Sequence, residues 1–231
     1  MFVGIIPAKL NSRRLERKNV KILGDLPLLA YTLRAAFGAR SLDRVIVSTD
    51  SDLVEEIALQ HSEERLTVLR RTSHLAGELT TVEAVLLDTA DRLELKQDDV
   101  VVTLLPTSPF RSRDLIDRCI QLFQSRQADT VLTVQRRRLK LGTLEDDRAF
   151  RPSRHYPPEM HRVEPVFIDN PAVYVTRLSA LRANRFVLGD RCYGVEIDRI
   201  EGHDINEPLD WLVAEAVLAN GLFTPPELTA S

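Results

Sequence analysis

Cysteine is scarce in this sequence. The 231 residues include two cysteines, Cys119 and Cys192, which lie far apart and have no Cys or His at the spacing of a metal site. This pattern favours two buried or neutral thiols in a reducing compartment. We therefore expect a cytoplasmic protein.

A surplus of charge of one sign is also missing. The formal net charge is −3, with 31 Lys and Arg against 34 Asp and Glu. A general nucleic-acid binder usually carries a basic excess, so we expect no nucleic-acid partner. Any anion must then be bound by a local cluster of Lys and Arg.

No apolar run is long enough to span a membrane. Residues 1–6, an apolar segment, are too few for a span and lack the pattern of a signal peptide. They are typical of a buried strand, and we expect no membrane partner. A chain of 231 residues can form one substantial core, so we expect a single domain over residues 1–231.

Strand-like and helix-like segments alternate through the first 134 residues. Compact apolar runs predict strands at residues 2–7, 45–48, 67–69, 99–105 and 130–134. Helical periodicity and start signals predict helices at residues 28–37, 52–60, 80–95 and 114–123. Repeated units of this spacing predict right-handed crossovers and a three-layer, doubly wound α/β fold with a mostly parallel sheet.

The alternation stops after Val134. Residues 135–165 are rich in Arg, Pro and acidic residues and have no clean period. Strands at 172–175 and 193–197 and helices at 178–183 and 208–218 follow. Because structureless loops of that length are uncommon in compact domains, residues 135–165 are interpreted as a long functional loop or as an excursion that pairs with another subunit.

Three polar segments follow strands of the predicted sheet, at residues 9–19, 70–81 and 106–113. Ligands of open α/β sheets bind at the carboxyl ends of strands, so we expect these segments to meet in one cleft. The first segment is strongly basic and suits a triphosphate, whose charge must be neutralised before one phosphorus can be attacked. It has no Gly-Lys-Ser/Thr and is not a Walker loop. From charge pattern alone, a solvated basic loop is the commoner explanation.

The basic segment resembles the signature of the acylneuraminate cytidylyltransferases, the CMP-sialic acid synthetases. That signature reads Pro-Ala-Arg-x-(Gly or Asn)-Ser-Lys, with Lys-Asn a few residues on. Besides Pro7 and Ala8, four positions of this sequence match it: Asn11, Ser12, Lys18 and Asn19. Lys9 replaces the family's Arg, and Arg13 replaces its Lys.

Further motifs of that family follow along the chain. They are residues 24–32 (Gly-Asp-Leu-Pro-Leu-Leu-Ala-Tyr-Thr), 43–50 (Asp-Arg-Val-Ile-Val-Ser-Thr-Asp), Arg71 with Leu75 and Ala76, 106–111 (Pro-Thr-Ser-Pro-Phe-Arg) and 204–206 (Asp-Ile-Asn). The resemblance covers residues 3–135 closely and 165–215 loosely. It implies the Rossmann-like nucleotidyltransferase fold.

The resemblance implies a nucleotide site and a metal site. The nucleotide-binding residues would be Lys9, Asn11, Ser12, Arg13, Lys18, Asn19, Arg71 and Thr81. Lys9 and Lys18 would contact the phosphates, and Lys18 and Asp204 would be catalytic. Asp204 and Asn206 would hold Mg²⁺, the expected cofactor, which bridges phosphate oxygens and orients the sugar hydroxyl for attack on the α-phosphorus.

The resemblance also implies a site for an acidic sugar. Arg162, Asn170 and Tyr174 fall where the family contacts the sugar, and the fork of an arginine suits a carboxylate. The expected reaction joins CMP from CTP to a 2-keto acid of the sialic, legionaminic or pseudaminic kind and releases pyrophosphate. A homodimer is expected through residues 135–165, where the relatives have a dimerisation excursion.

Three residues depart from the family pattern. Leu105 replaces a glutamine that reads the cytosine edge, and leucine can neither donate nor accept a hydrogen bond through its side chain. Asn206 replaces the second metal-binding carboxylate, and Pro171 replaces a glycine near the sugar. These departures leave two alternatives: the same fold acting on another nucleotide such as GTP, or a non-catalytic homologue that binds a nucleotide or sugar.

Four of the candidate residues also have a purely structural alternative. Arg71 can be a surface ion-pair partner, and Thr81 can cap the helix that follows it. Asp204 can cap a turn. Tyr174 can belong to the core.

Overall fold

The computed structural model describes residues 1–12, 14–61, 63–72, 75, 77 and 80–226. In chain order their strands are β1 (Phe2–Pro7), β2 (Ile22–Leu23), β3 (Leu26–Pro27), β4 (Arg44–Thr49), β5 (Leu66–Arg70), β6 (Val100–Thr103), β7 (Thr130–Arg137), β8 (Gly142–Leu144), β9 (Phe150–Pro152), β10 (Val166–Arg177) and β11 (Cys192–Ile197). Their α-helices are α1 (Leu28–Gly38), α2 (Asp52–Gln60), α3 (Val82–Arg92), α4 (Leu115–Arg126), α5 (Leu178–Asn184) and α6 (Pro208–Ala219).

Seven strands form one sheet in the order β11-β7-β10-β6-β1-β4-β5. Every neighbouring pair is parallel except the two pairs that β10 makes with β6 and β7, which are antiparallel. Parallel neighbours need crossover helices, and these cover the sheet. The prediction of a mostly parallel, doubly wound α/β fold is confirmed.

The two faces of the sheet are buried under different helices. Ile6, Val45 and Val102 pack against α1, α2 and α4, whereas Val3 and Ile5 face α3 and α5. Successive side chains of a strand point to opposite faces, so the apolar run of β1 supplies both layers of core. Three layers result, as the sequence predicts.

Element ends follow local chemistry. Ser51 caps α2, with its hydroxyl accepting a hydrogen bond from the Val54 amide at 3.4 Å. Gly38 ends α1 and lies at the predicted end of that helix. The helix predicted at residues 80–95 is shorter, because Thr81 is the N-cap and Leu93 the C-cap of α3.

The section after Val134 contains structure that its sequence does not predict. β7 continues to Arg137, and β8 pairs with β9 in a short antiparallel hairpin. All residues of β8 and β9 are exposed. Neither strand has a buried face, so neither needs the alternation of apolar and polar residues from which a strand is predicted. β10 is long, with a register irregularity between Asn170 and Tyr174.

Both cysteines are free thiols. Cys119 is buried and Cys192 is exposed. Burial raises the pKa of Cys119 to about 12, and that of Cys192 is also raised, so both thiols stay neutral. No helix among the described residues is long and apolar enough to cross a membrane.

Arg111 holds the loop after β6 in place. Its side chain is fully buried and donates to four oxygens: Leu105 O at 2.6 Å, Ser108 O at 2.5 Å, Ala172 O at 2.6 Å and Thr32 Oγ1 at 2.9 Å. These bonds join the loop to α1 and β10. Burial lowers the pKa of Arg111 to about 9, which leaves the guanidinium charged at neutral pH.

Replacing Arg111 by Lys is expected to destabilise the fold. An ammonium has three donors and no fork, so it leaves buried carbonyls without partners. We expect Arg111→Lys to lower the free energy of unfolding by about 2 to 4 kcal/mol in urea denaturation. Arg113→Lys is the matched control, because Arg113 is exposed, and a change within about 0.5 kcal/mol is expected there. Equal stability of the two variants would contradict this role.

Candidate active site

The basic segment after β1 is closed into a loop by Asn19. The buried side chain of Asn19 donates through Nδ2 to the Lys9 carbonyl at 2.7 Å, while its Oδ1 is buried without a partner. Lys18, on the same short 3-10 turn, donates through Nζ to the Ile205 carbonyl at 2.8 Å. This contact brings the basic loop against the segment 204–206.

Charges converge on Lys18. Burial lowers the pKa of Lys18, and the neighbouring cations Arg14 and Lys9 lower it further, whereas Asp204 and Asp210 oppose that change. Two cations and two carboxylates therefore act on this half-buried ammonium. Its hydrogen bond goes to a neutral carbonyl, which is a weaker partner than a phosphate oxygen.

One carboxylate oxygen of Asp204 is open, in the sense that it has no hydrogen-bond partner. Its Oδ1 is buried and has no partner, whereas its Oδ2 accepts from Asn206 Nδ2. The loop is held by Asp210, whose Oδ2 accepts from the amides of Asn206 and Glu207 at 2.8 Å each. The Ile205 amide donates to the Thr107 carbonyl at 2.8 Å, which ties this loop to the segment after β6.

The open oxygen of Asp204 fits a Mg²⁺ ion shared with a substrate. Protein-bound Mg²⁺ commonly has one or two carboxylate ligands and takes the rest from water and substrate phosphates. Among the described residues no group of three or more His, Cys, Asp or Glu could hold a metal ion. Both amide atoms of Asn206 already have protein partners, since Oδ1 accepts from Arg14 Nη2 at 3.0 Å. The metal role of Asn206 stays a prediction.

Arg71 follows β5 in the chain, and its side chain reaches the carboxyl end of the neighbouring strand β4. It donates to the Ser48 hydroxyl at 3.2 Å and to the Ser48 carbonyl at 2.9 Å. Burial lowers the pKa of Arg71, and Asp50 and Asp88 oppose that change. Asp50 also accepts from the Leu10 amide at 2.9 Å, which places Arg71 next to the basic loop.

The other predicted nucleotide residues have simpler surroundings. Thr81 caps α3, with its Oγ1 accepting from the Ala84 amide at 3.2 Å. Asn11 is exposed and Ser12 is half-buried at the cleft end of β1. Arg13 lies outside the described residues. The nucleotide roles of these residues stay predictions.

The predicted sugar residues lie in two places. Half-buried Tyr174 donates its hydroxyl to Asp169 Oδ1 at 2.7 Å. Burial and this bond raise the pKa of Tyr174, with Asp204 and Glu83 adding to the effect, so the phenol stays protonated. Asn170 is buried and donates through Nδ2 to the Gly202 carbonyl at 2.7 Å.

Arg162 lies on the excursion rather than beside Tyr174. Its side chain is 66% exposed and its guanidinium is 3.8 Å from the Glu159 carboxylate. Among the described residues, Arg162 contacts Glu159 and does not contact the cleft loops. A sugar role for Arg162 therefore requires a second subunit or a movement of this section, and it stays a prediction.

Sequence reasoning assigned no role to four residues that shape the cleft: Arg14, Asp50, Arg111 and Asp210. Asp50 and Arg111 lie in motifs that resemble the cytidylyltransferases, so their position in those motifs was an available signal, whereas Asp210 lies four residues beyond the 204–206 motif. Arg14 is one cation in a basic run, and the sequence does not distinguish it from its neighbours.

The comparisons with known proteins identify the family of the chain. A family model described as cytidylyltransferase matches residues 3–156. The CMP-N,N'-diacetyllegionaminic acid synthase of Legionella pneumophila is 26% identical over 94% of this chain and 96% of that protein. The N-acylneuraminate cytidylyltransferase of Escherichia coli is 35% identical over 54% of this chain and 28% of that protein.

A solved structure shows the same fold. The CMP:2-keto-3-deoxy-manno-octonic acid synthetase complexed with CTP superimposes with a TM-score of 0.67. The match covers 95% of this chain and 99% of that chain at 14% identity. At 14% identity the likeness shows a shared fold only. The chemistry has to be inferred from the residues of the cleft.

Thr81 can be tested as a helix cap. We expect Thr81→Ala to lower the free energy of unfolding by about 1 kcal/mol, because the Ala84 amide loses its acceptor. Thr81→Ser keeps a hydroxyl and is expected to stay near wild type in urea denaturation. Equal stability of the two variants would contradict the cap, and a loss of CTP affinity confined to Thr81→Ala would add the predicted nucleotide role.

Proposed function

We propose, from the premise that this chain belongs to the cytidylyltransferase family, that it transfers CMP from CTP to an acidic 2-keto sugar of the sialic, legionaminic or pseudaminic kind and releases pyrophosphate. The observation that carries this proposal is the meeting of Lys18 with the 204–206 loop. Cations lie there beside a carboxylate that has an open oxygen. The names of the relatives describe synthesis of CMP-linked acid sugars or cytidylyl transfer to one.

The basic loop would bind the triphosphate. Lys9 and Lys18 offer ammonium groups to phosphate oxygens, and Lys18 would exchange its bond to the Ile205 carbonyl for one to phosphate. Charge-assisted bonds of this kind are stronger than the neutral one they replace. Because Asn19 fixes the backbone of the loop through the Lys9 carbonyl, only the ends of the lysine side chains would need to move as negative charge develops on the phosphates.

Asp204 would hold Mg²⁺ through its open Oδ1. When bound, the ion would neutralise phosphate charge and orient the sugar hydroxyl. The sugar hydroxyl oxygen forms a bond to the α-phosphorus, the bond from that phosphorus to the bridging oxygen breaks, and pyrophosphate leaves. The hydroxyl proton passes to solvent or to the leaving pyrophosphate, so the atoms balance as CTP plus sugar giving CMP-sugar plus pyrophosphate.

The sugar would lie on the Tyr174 side of the cleft. Tyr174 keeps its proton and can donate to a sugar oxygen if it exchanges its bond with Asp169. Asn170 contributes mainly by position, since its amide already bonds the Gly202 carbonyl and the Ala172 amide. Arg162 would face the sugar carboxylate from a neighbouring subunit.

Base recognition differs from the family pattern at Leu105. Its side chain offers no hydrogen bond, and its carbonyl already accepts from Arg111 Nη2 at 2.6 Å and from the Ser108 amide at 3.2 Å. A carbonyl oxygen has two lone pairs, so both are occupied and Leu105 offers no hydrogen bond to a base. The choice of CTP therefore rests on the cytidylyl transfer named in the relatives, and another nucleotide, such as GTP, stays a second candidate.

The assembly we propose is a homodimer formed through residues 135–165 in the cytoplasm. Val163 of this section is buried, but six apolar side chains of the section and of the adjoining part of β10 are at least 42% exposed: Leu141, Leu144, Phe150, Met160, Phe167 and Ile168. A contiguous exposed apolar surface commonly marks a protein interface. A second copy would cover these side chains.

The reaction is tested by pyrophosphate release across a panel of four nucleotides and several acidic keto sugars, with Mg²⁺ present. We expect CTP with at least one such sugar to give turnover, and Asp204→Asn to reduce it roughly a hundredfold or more through loss of metal charge. Asp98→Asn is the control, because Asp98 is exposed before β6 at the opposite sheet edge. Turnover only with GTP would replace the nucleotide, and silence across the panel would support the non-catalytic alternative.

The homodimer is tested by light scattering at micromolar concentration. We expect roughly twice the chain mass of 26.2 kDa. Combined Leu144→Asp and Phe150→Asp changes are expected to give a monomer, because they put charge into a desolvated interface. Phe186→Asp is the control, since Phe186 is also exposed but lies after α5. A wild-type monomer, or a dimer that survives the double change, would contradict this interface.

A further inference from the structure

Arg14 reaches across the mouth of the cleft to the loop before α6. Its Nη2 donates to Asn206 Oδ1 at 3.0 Å, although the two residues are separated by 192 positions in the chain. Its Nη1 is 3.7 Å from the Glu207 carboxylate, and both of those side chains are more than half exposed. A solvated pair at that distance is weak, so Glu207 leaves most of the guanidinium charge uncompensated.

Asn206 connects Arg14 to Asp204. Its amide oxygen accepts from Arg14, and its amide nitrogen donates to Asp204 Oδ2. The other carboxylate oxygen of Asp204, Oδ1, is left open. A carboxamide therefore lies between a cation and an anion, with each end of the amide facing the group it can bond.

A carboxylate at position 206 would give a different arrangement. It would pair directly with the guanidinium and cancel much of its charge, and it would repel the Asp204 carboxylate because it has no donor to offer. The neutral amide holds Arg14 without neutralising it. The positive charge of Arg14 therefore stays available at the cleft.

The charge of Arg14 is felt inside the cleft. It is one of the neighbours that lower the pKa of Lys18, together with Lys9. Arg14, Lys9 and Lys18 therefore repel one another, and the carboxylates of Asp204 and Asp210 offset part of this repulsion at Lys18. An anion of high charge density would relieve their mutual repulsion, and a triphosphate or a pyrophosphate is such an anion.

We propose that Arg14 is a further binding residue for the triphosphate and for the pyrophosphate product, and that Asn206 is the positioning residue that holds its guanidinium beside Asp204. This inference rests on the proposed function. It gives Asn206, which departs from the family's carboxylate, a role that does not require it to bind a metal ion.

The binding role is tested with CTP and with pyrophosphate by calorimetry in EDTA, which removes both turnover and metal. We expect Arg14→Gln to weaken each ligand about tenfold, the size typical for loss of one charge-assisted bond at a partly exposed site. Arg17→Gln is the matched control: Arg17 lies in the same loop, and its side chain is 61% exposed and 3.9 Å from Glu16. We expect it to bind within about twofold of wild type. Thermal midpoints show whether each variant remains folded.

The positioning role is tested by a double-mutant cycle, also in EDTA. Asn206→Ala is expected to weaken CTP severalfold in the wild-type background and to have no further effect in the Arg14→Gln background. Residues that act through one contact are non-additive in this way, whereas independent effects add. A purely structural contribution of Asn206 would reduce affinity equally in both backgrounds and would overturn its positioning role.

The outcomes separate the two proposals. Wild-type protein that binds CTP, together with an Arg14→Gln variant within twofold of it, would overturn the role of Arg14 and leave the proposed function standing. Wild-type protein that binds none of the nucleotides and releases no pyrophosphate would overturn both. A tenfold loss confined to Arg14→Gln supports both.

Discussion

The bond from the Lys18 ammonium to the Ile205 carbonyl is the contact on which the site depends. It joins residues separated by 187 positions and brings the basic loop after β1 against the loop that contains Asp204. Without it, the cations and the carboxylate would belong to separate parts of the surface. With it, a half-buried ammonium is paired to a neutral carbonyl, which is a weaker partner than a phosphate oxygen. A phosphate oxygen can therefore replace the Ile205 carbonyl as the partner of the Lys18 ammonium.

Two neighbouring side chains, Asp210 and Arg111, influence the charge of this site. Asp210 acts on Lys18 through its charge, but its Oδ2 is already bonded to the backbone amides of Asn206 and Glu207. Arg111 is buried among neutral oxygens and adds a positive charge beneath the cleft. A cleft rich in positive charge, with few free carboxylates, binds phosphates readily. The fold therefore gives the cleft the positive charge that binding of a nucleotide triphosphate would need.

The sequence predicted the fold more completely than the site. The apolar run of β1 and the Ser51 cap of α2 are local signals, and the elements they predict are where the structure has them. The hairpin of β8 and β9 was missed because its residues are exposed and show no alternation. The bond between Arg14 and Asn206 is long-range, so no local pattern marks it. The family motifs identified Lys18 and Asp204 as candidates, whereas the partners that orient them are visible only in the structure.

The most direct measurement is a crystal structure of the chain with CTP and Mg²⁺. The account predicts that triphosphate oxygens lie within hydrogen-bond distance of Lys18 Nζ and that the metal is bound to Asp204 Oδ1. It also predicts that Lys18 has left the Ile205 carbonyl. A nucleotide bound elsewhere, with Lys18 still on that carbonyl and Asp204 without a metal, would contradict it.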